Sequence, residues 1–218
     1  EAMNETKARF LDYGQSIEDV RQYLTEQQTK QRHDHVVAQP STSTIPQMWL
    51  LSTSVASAKK AGAQGMGYTL GTFLLPSANA IDRAKDSVDI YRDAFQPSSL
   101  NMDATVMVTV FIALADTEEE AKALGKSLDI WLLGKQQFAE FEHMPTIDTA
   151  NAYHLTERDK RQITQGRARM IVGTKDTVKL RLDSMIQKFD ADEVMVVPLI
   201  PGIEARCRAI ELLAEIYL

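Results

Sequence analysis

Cysteine is nearly absent: one thiol, Cys207, stands among 218 residues, so no internal disulfide can form. Nothing in the chain then depends on an oxidising compartment, which points to the cytoplasm. Cys207 lies between Arg206 and Arg208 in a helical stretch and reads as a packing residue. Long apolar runs are missing too, and none approaches the ~20 residues that a membrane span needs. Basic blocks are missing as well. The chain has 24 Lys and Arg against 30 Asp and Glu, a formal net charge of −6. Nucleic acid and anionic membrane are therefore poor partners for it. The first residues, Glu1-Ala2-Met3-Asn4, make neither a signal peptide nor a natural start. They fit a tag remnant or the cut end of a longer protein.

What remains is an ordinary globular composition, 44% hydrophobic and 25% charged. Lys7 to Lys30 has the helical stripe Phe10, Tyr13, Ile17, Val20, Tyr23 and Leu24, with Gly14-Gln15-Ser16 as an expected interruption and Ser16 as a second cap. Arg32 to Pro46 is polar and turn-rich, a loop. A rhythm of strands and helices follows. Strands are predicted at Gln47–Leu51, near Tyr68–Leu70, at Thr105–Ala113 and at Glu193–Val197. Helices are predicted at Val55–Gln64, within Pro76–Phe95, from Thr117 towards Trp131, over Thr156–Arg169, after Thr174, and from Ile203 to the end. Thr117 with Glu120 has the pattern of a capping box.

Strands alternating with helices predict an α/β fold with a parallel sheet. A closed (β/α)8 barrel needs eight strands and typically ~250 residues, so four strands make about half of one. A half-barrel leaves two unpaired edges. Either further strands lie on a missing segment, or two chains pair, or the sheet is open and doubly wound.

The segment richest in chemistry runs from Trp49 to Gly67. It delivers a strand into a hydroxyl-rich turn, Ser52-Thr53-Ser54 with Ser57 just beyond, and then opens a helix lined by Ala56, Ala58, Ala61, Gly62 and Ala63. Unpaired amides and the aligned dipole of a helix start make an anion site. The plainer alternative is that a Ser or Thr here only caps the helix. Four hydroxyls at a strand C-terminus, where α/β proteins bind ligands, bring a phosphate into consideration.

Trp49-Leu50-Leu51-Ser52-Thr53-Ser54, then Ser57-Ala58, Ala61 and Gly65-Met66-Gly67-Tyr68, resembles the flavin-phosphate segment of the bacterial-luciferase-like flavin monooxygenases. Four further stretches agree in order: Tyr91-Arg92 to Phe95-Gln96-Pro97-Ser98, Ala113 to Ala121, Val172-Gly173-Thr174 with Val178 and Leu182, and Ala191-Asp192-Glu193-Val194-Met195-Val196. The resemblance covers about Ile45 to Leu218. It implies a TIM-barrel fold of (β/α)8 type and a single domain 1–218. In it, residues 1–30 give the helix before strand five, and residues 45–218 give strands five to eight with their helices. It further implies reduced FMN as cofactor, O2 as co-substrate, a separate flavin reductase as transient partner and a small organic substrate. A homodimer, or a missing N-terminal segment, would complete the assembly. The cofactor-binding residues carried over are Ser52, Thr53, Ser54 and Ser57. A deazaflavin-dependent oxidoreductase, a non-catalytic flavin-binding or structural member of the same fold, and an inactive fragment are the alternatives.

Two positions depart from the family's pattern. Ser52 stands where many relatives have Gly, and Gly71-Thr72-Phe73 stands where relatives often carry a His. The resemblance places the catalytic residues on strands one to four, so none is assigned here. No metal site is expected: His33 and His35 lie in a polar loop without further ligands, and His143 and His154 bracket an irregular stretch. That stretch, Gly134 to Leu155, corresponds in relatives to a mobile loop that closes over reduced flavin, with Trp131, Phe138 and Phe141 as lid residues. Core packing or plain surface loop explains it equally well.

Overall fold

A computed structural model describes residues 13–25, 44–75 and 77–218. The order of elements is α1 (Tyr13–Thr25), β1 (Trp49–Ser52), α2 (Val55–Ala63), β2 (Gly67–Gly71), a 3-10 turn (Thr72–Leu74), α3 (Ala78–Arg83), α4 (Lys85–Ala94), β3 (Val106–Leu114) and α5 (Glu118–Leu132). After these come α6 (Ile147–Ala152), α7 (Glu157–Gly166), β4 (Met170–Gly173), α8 (Lys175–Phe189), β5 (Glu193–Val197) and α9 (Ile203–Tyr217). All strands are parallel and form one open sheet.

Among the described residues five strands are present where four were expected. The extra one, β4, occupies residues read as the gap between two helices. It is four residues long and pairs only with the last part of β3, Phe111 to Leu114. Phe111 pairs with Met170 of β4 and with Val197 of β5. A residue has one partner on each edge, so β4 extends the edge that β2 leaves at Gly71, while β5 holds the other. Two helix expectations also change. α1 runs unbroken from Tyr13 through Ser16, and the helix expected within Pro76–Phe95 is two helices meeting at Ala84. The expected loop at 32–43 and both His33 and His35 lie outside the described residues.

The sheet has two faces because side chains alternate. Leu50, Tyr68, Leu70, Val106, Val108, Val110 and Ile112 point to the helices and are buried. Fully burying each such side chain stabilises by roughly 1.5–3 kcal/mol. The inner face carries Trp49, Leu51, Thr69, Thr109, Phe111 and Met195. It is partly open, with Leu51 and Met195 about half exposed. Gly67 is required there: a Cβ would stand 2.5 Å from the Trp49 indole on the neighbouring strand. Gly62 has the same function between helices, since its Cβ would meet the Tyr91 carbonyl of α4 at 2.5 Å.

Polar clamps fix the N-terminal ends of the strands. The Tyr91 hydroxyl donates to the Met66 carbonyl (2.9 Å) and accepts from the Thr105 amide (3.0 Å), so α4 ties β2 to β3. Burial pushes its pKa up to about 12. The Asp192 carboxylate accepts from the Val106 amide (2.8 Å) and from Arg92 (3.3 Å), tying β5 to β3 and α4. Ser98 donates to the Gly65 carbonyl (2.9 Å), and the Gln96 amide donates to Gly62 (3.0 Å).

Removing the Tyr91 hydroxyl strands the buried Met66 carbonyl and the half-buried Thr105 amide together. Tyr91→Phe should therefore cost about 2–4 kcal/mol in denaturant unfolding, and a loss under 0.5 kcal/mol would show that the clamp is idle. A second expectation concerns Asp129 on α5, which is 7% exposed and paired with Arg167. Burial raises its pKa from 3.8 to about 6, and Arg167 offsets only part of that. The folded state holds this proton more tightly than the unfolded chain. The stability it contributes is full below about pH 4 and is lost as pH rises through about 6. Asp129→Asn should stabilise the protein more at pH 7.5 than at pH 4.5, by of the order of 1–3 kcal/mol. Equal effects at the two pH values would contradict the shift.

Candidate functional site

β1 ends at Ser52 and α2 begins at Val55, leaving a two-residue turn. Ser54 is the N-cap of α2 in extended conformation, and its hydroxyl accepts from the Ser57 amide (3.2 Å). The Ser52 hydroxyl accepts from the Ser54 amide (3.1 Å), which closes the turn locally. The Ser52 carbonyl accepts from the buried Tyr68 hydroxyl (3.0 Å), which anchors the turn to β2.

These bonds form a directed chain. Ser52 Oγ donates to Ser54 Oγ (3.4 Å), and Ser54 Oγ donates to Ser57 Oγ (3.0 Å). Ser57 Oγ ends this chain, and the hydrogen bonds upstream of it strengthen it as a donor. Ser54 is exposed, while Ser52, Thr53 and Ser57 are half-buried. The amides of Val55 and Ala56 lie in the first turn, where a helix offers no internal acceptor. No acidic residue stands in that first turn. The start of α8 differs. At α8 the Glu118 carboxylate accepts from the Thr174 amide (3.2 Å) and the Thr177 hydroxyl (3.3 Å), so an anion of the chain itself fills that position. The α2 start has the donors and lacks the internal anion.

Ser52, Ser54 and Ser57, chosen from the sequence, are thus one hydrogen-bonded unit. Thr53 sits in the middle of the turn. The Ser52 hydroxyl has a visible function, since it builds the turn. At the end of β2, Thr72 donates to the Thr109 carbonyl (2.7 Å) and Phe73 stacks on Phe111 with centroids 4.7 Å apart. An aromatic pair therefore stands at this end of β2. His143 and His154 are exposed, and among the described residues no group of three metal-ligating side chains comes together.

The irregular stretch Gly134–Leu155 is held by its own contacts. Tyr153 donates to Glu140 (2.6 Å) and faces Phe141 at 5.8 Å, while Lys126 of α5 reaches Asn151 of α6 (3.0 Å). Lys135 pairs with Asp159 at 2.9 Å, within the capping box of α7 (Thr156 with Asp159). At α5, Thr117 makes only its own half of the expected box, accepting from the Glu120 amide. The side chain of Phe138 lies outside the described ones. An apolar cavity of about 560 Å³ opens between α8, β5 and α9, away from the hydroxyl turn, and Asp192 is its one charged lining residue. No helix of the described residues is long and apolar enough to cross a membrane.

Comparison with known proteins places these features. The family model of luciferase-like monooxygenases matches residues 2–192. Uncharacterized protein YwcH of Bacillus subtilis (strain 168) is 34% identical over 218 residues, covering 99% of this chain and 64% of its own length. Uncharacterized protein YceB of the same organism is 32% identical over 216 residues, covering 97% and 62%. The chain therefore spans a little under two thirds of these relatives. Among solved structures, apo-MsnO8 superposes with a TM-score of 0.80 at 24% identity, over 98% of this chain and 62% of that one. Monooxygenase RslO1 from Streptomyces bottropensis gives 0.61 at 21%, over 95% and 60%. The coenzyme F420-dependent tetrahydromethanopterin reductase from Methanopyrus kandleri gives 0.56 at 13%, over 93% and 63%. The shared fold is of TIM-barrel type, and in this chain the sheet does not close.

Proposed function

This chain belongs to the luciferase-like monooxygenase family, and from that premise we propose that it forms the phosphate-holding half of a flavin-dependent monooxygenase. The observation that carries the proposal is the hydroxyl turn. Three serines in series, two first-turn amides and an unopposed helix dipole converge at one end of a parallel sheet. These donors suit a phosphate monoester such as that of FMN, and Ser54, Ser57 and Thr53 are the residues that would hold it. When bound, reduced flavin supplies the electrons with which O2 oxidises an organic substrate, one oxygen atom entering the product and the other leaving as water. The protein's own task is to fix the phosphate, orient the ring over the inner face and keep water away from it.

The ring would lie over an inner wall of Leu51, Phe73, Phe111 and Met195, which offers it no charged side chain. Reduced flavin would come from a separate reductase, and a homodimer or a further segment would cover the open edges of β1 and β5. A deazaflavin also carries a phosphate, so the turn accommodates either cofactor, and direct titration with both distinguishes them.

Thr53→Ala combined with Ser57→Ala should weaken FMN binding at least tenfold, read by flavin fluorescence, with the melting temperature lowered by only a few degrees. Unchanged affinity in a folded double variant would remove the phosphate assignment.

A further inference from the structure

Thr109 stands in the middle of β3 on the inner face. It is 3% exposed, and its hydroxyl has no hydrogen-bond partner among the described residues. A buried hydroxyl left unpaired costs about 1–3 kcal/mol, whereas valine has the same shape and no such cost. On packing grounds alone this position favours valine, as at Val106, Val108 and Val110 along the same strand.

The register gives the hydroxyl a location. Ser52 pairs with Leu70 and Leu70 with Val108. One rung further, Thr53 follows β1, and Gly71 pairs with Thr109, which pairs with Met195. Thr109 is therefore level with the hydroxyl turn, two strands away, a lateral distance of roughly 10 Å. That is comparable to the reach of a ribityl chain from its phosphate to its ring. On one side of Thr109 is Gly71, which has no side chain. On the other is Met195, an unbranched and half-exposed thioether that can swing aside.

We propose that the Thr109 hydroxyl is a cofactor-ring contact, donating or accepting one hydrogen bond at a polar edge atom of the flavin ring system whose phosphate sits at Ser54 and Ser57. The inference rests on the flavin reading of that turn. The polar edge of the ring then supplies the hydrogen bond that the Thr109 hydroxyl does not find among the described residues.

Thr109→Val tests this in the purified protein, with FMN and riboflavin as probes and fluorescence quenching as the readout. Without flavin, the variant should melt about 2–4 °C higher than wild type. Its affinity for both flavins should fall about three- to tenfold, because the two share the ring, while Thr109→Ser should keep wild-type affinity. The Thr53 and Ser57 changes, by contrast, should affect FMN alone. If wild type binds FMN and Thr109→Val binds both flavins equally well, the ring contact is overturned and the phosphate site stands. If wild type binds neither flavin, both readings fall. A Thr109→Ser variant as weak as Thr109→Val would also overturn the proposal, since it would trace the loss to packing.

Discussion

The arrangement at the C-terminal rim depends on the parallel register of β3. This strand pairs with β2 and β4 along one edge and with β5 along the other, and every chemically distinctive residue is placed relative to it. A shift of β3 by one residue would send Thr109 and Phe111 to the helical face and bring Val108 and Val110 inwards. The register is fixed at the opposite end of the strand. There Tyr91 bonds both Met66 and Thr105, and Asp192 bonds the Val106 amide. Structure at the N-terminal ends therefore sets the geometry of chemistry at the C-terminal ends, as is general for this architecture.

The motifs shared with the family divide along the same line. Tyr91, Arg92, Gln96, Ser98 and Asp192 are fastenings: each satisfies a backbone group or an ion pair between elements. Glu118, in the acidic turn after β3, caps α8 through Thr174 and Thr177. The turn from Ser52 to Ser57 has first-turn amides left over after its own caps are made, and no acidic residue in the first turn of α2 to meet them. That surplus separates a binding feature from a folding one, and it could be judged only once the hydrogen bonds of all five stretches were known.

Much of the architecture was legible in the sequence because burial leaves period and composition behind. β3 shows as a dense apolar run with β-branched residues, and α2 as a row of small residues behind a serine. β4 was not legible, since four residues following a charged helix carry no period, and pairing to half of one neighbour is a tertiary fact. Ser16 looked like a cap because Gly14 precedes it, yet α1 continues through both. The hydroxyl turn was found from its composition, but the direction of its hydrogen-bond chain and the turn-building function of Ser52 needed coordinates. Thr109 was missed, since a threonine in a strand is ordinary until its partner is sought.

The central claim is that the α2 start holds a phosphate, and the measurement that tests it most directly compares FMN with riboflavin in equilibrium titrations at several concentrations of inorganic phosphate. The two ligands differ only in the phosphate group. The account predicts that FMN binds at least tenfold more tightly and that inorganic phosphate competes with FMN but not with riboflavin. Equal affinities, unaffected by inorganic phosphate, would contradict it and leave the serines as a helix cap alone.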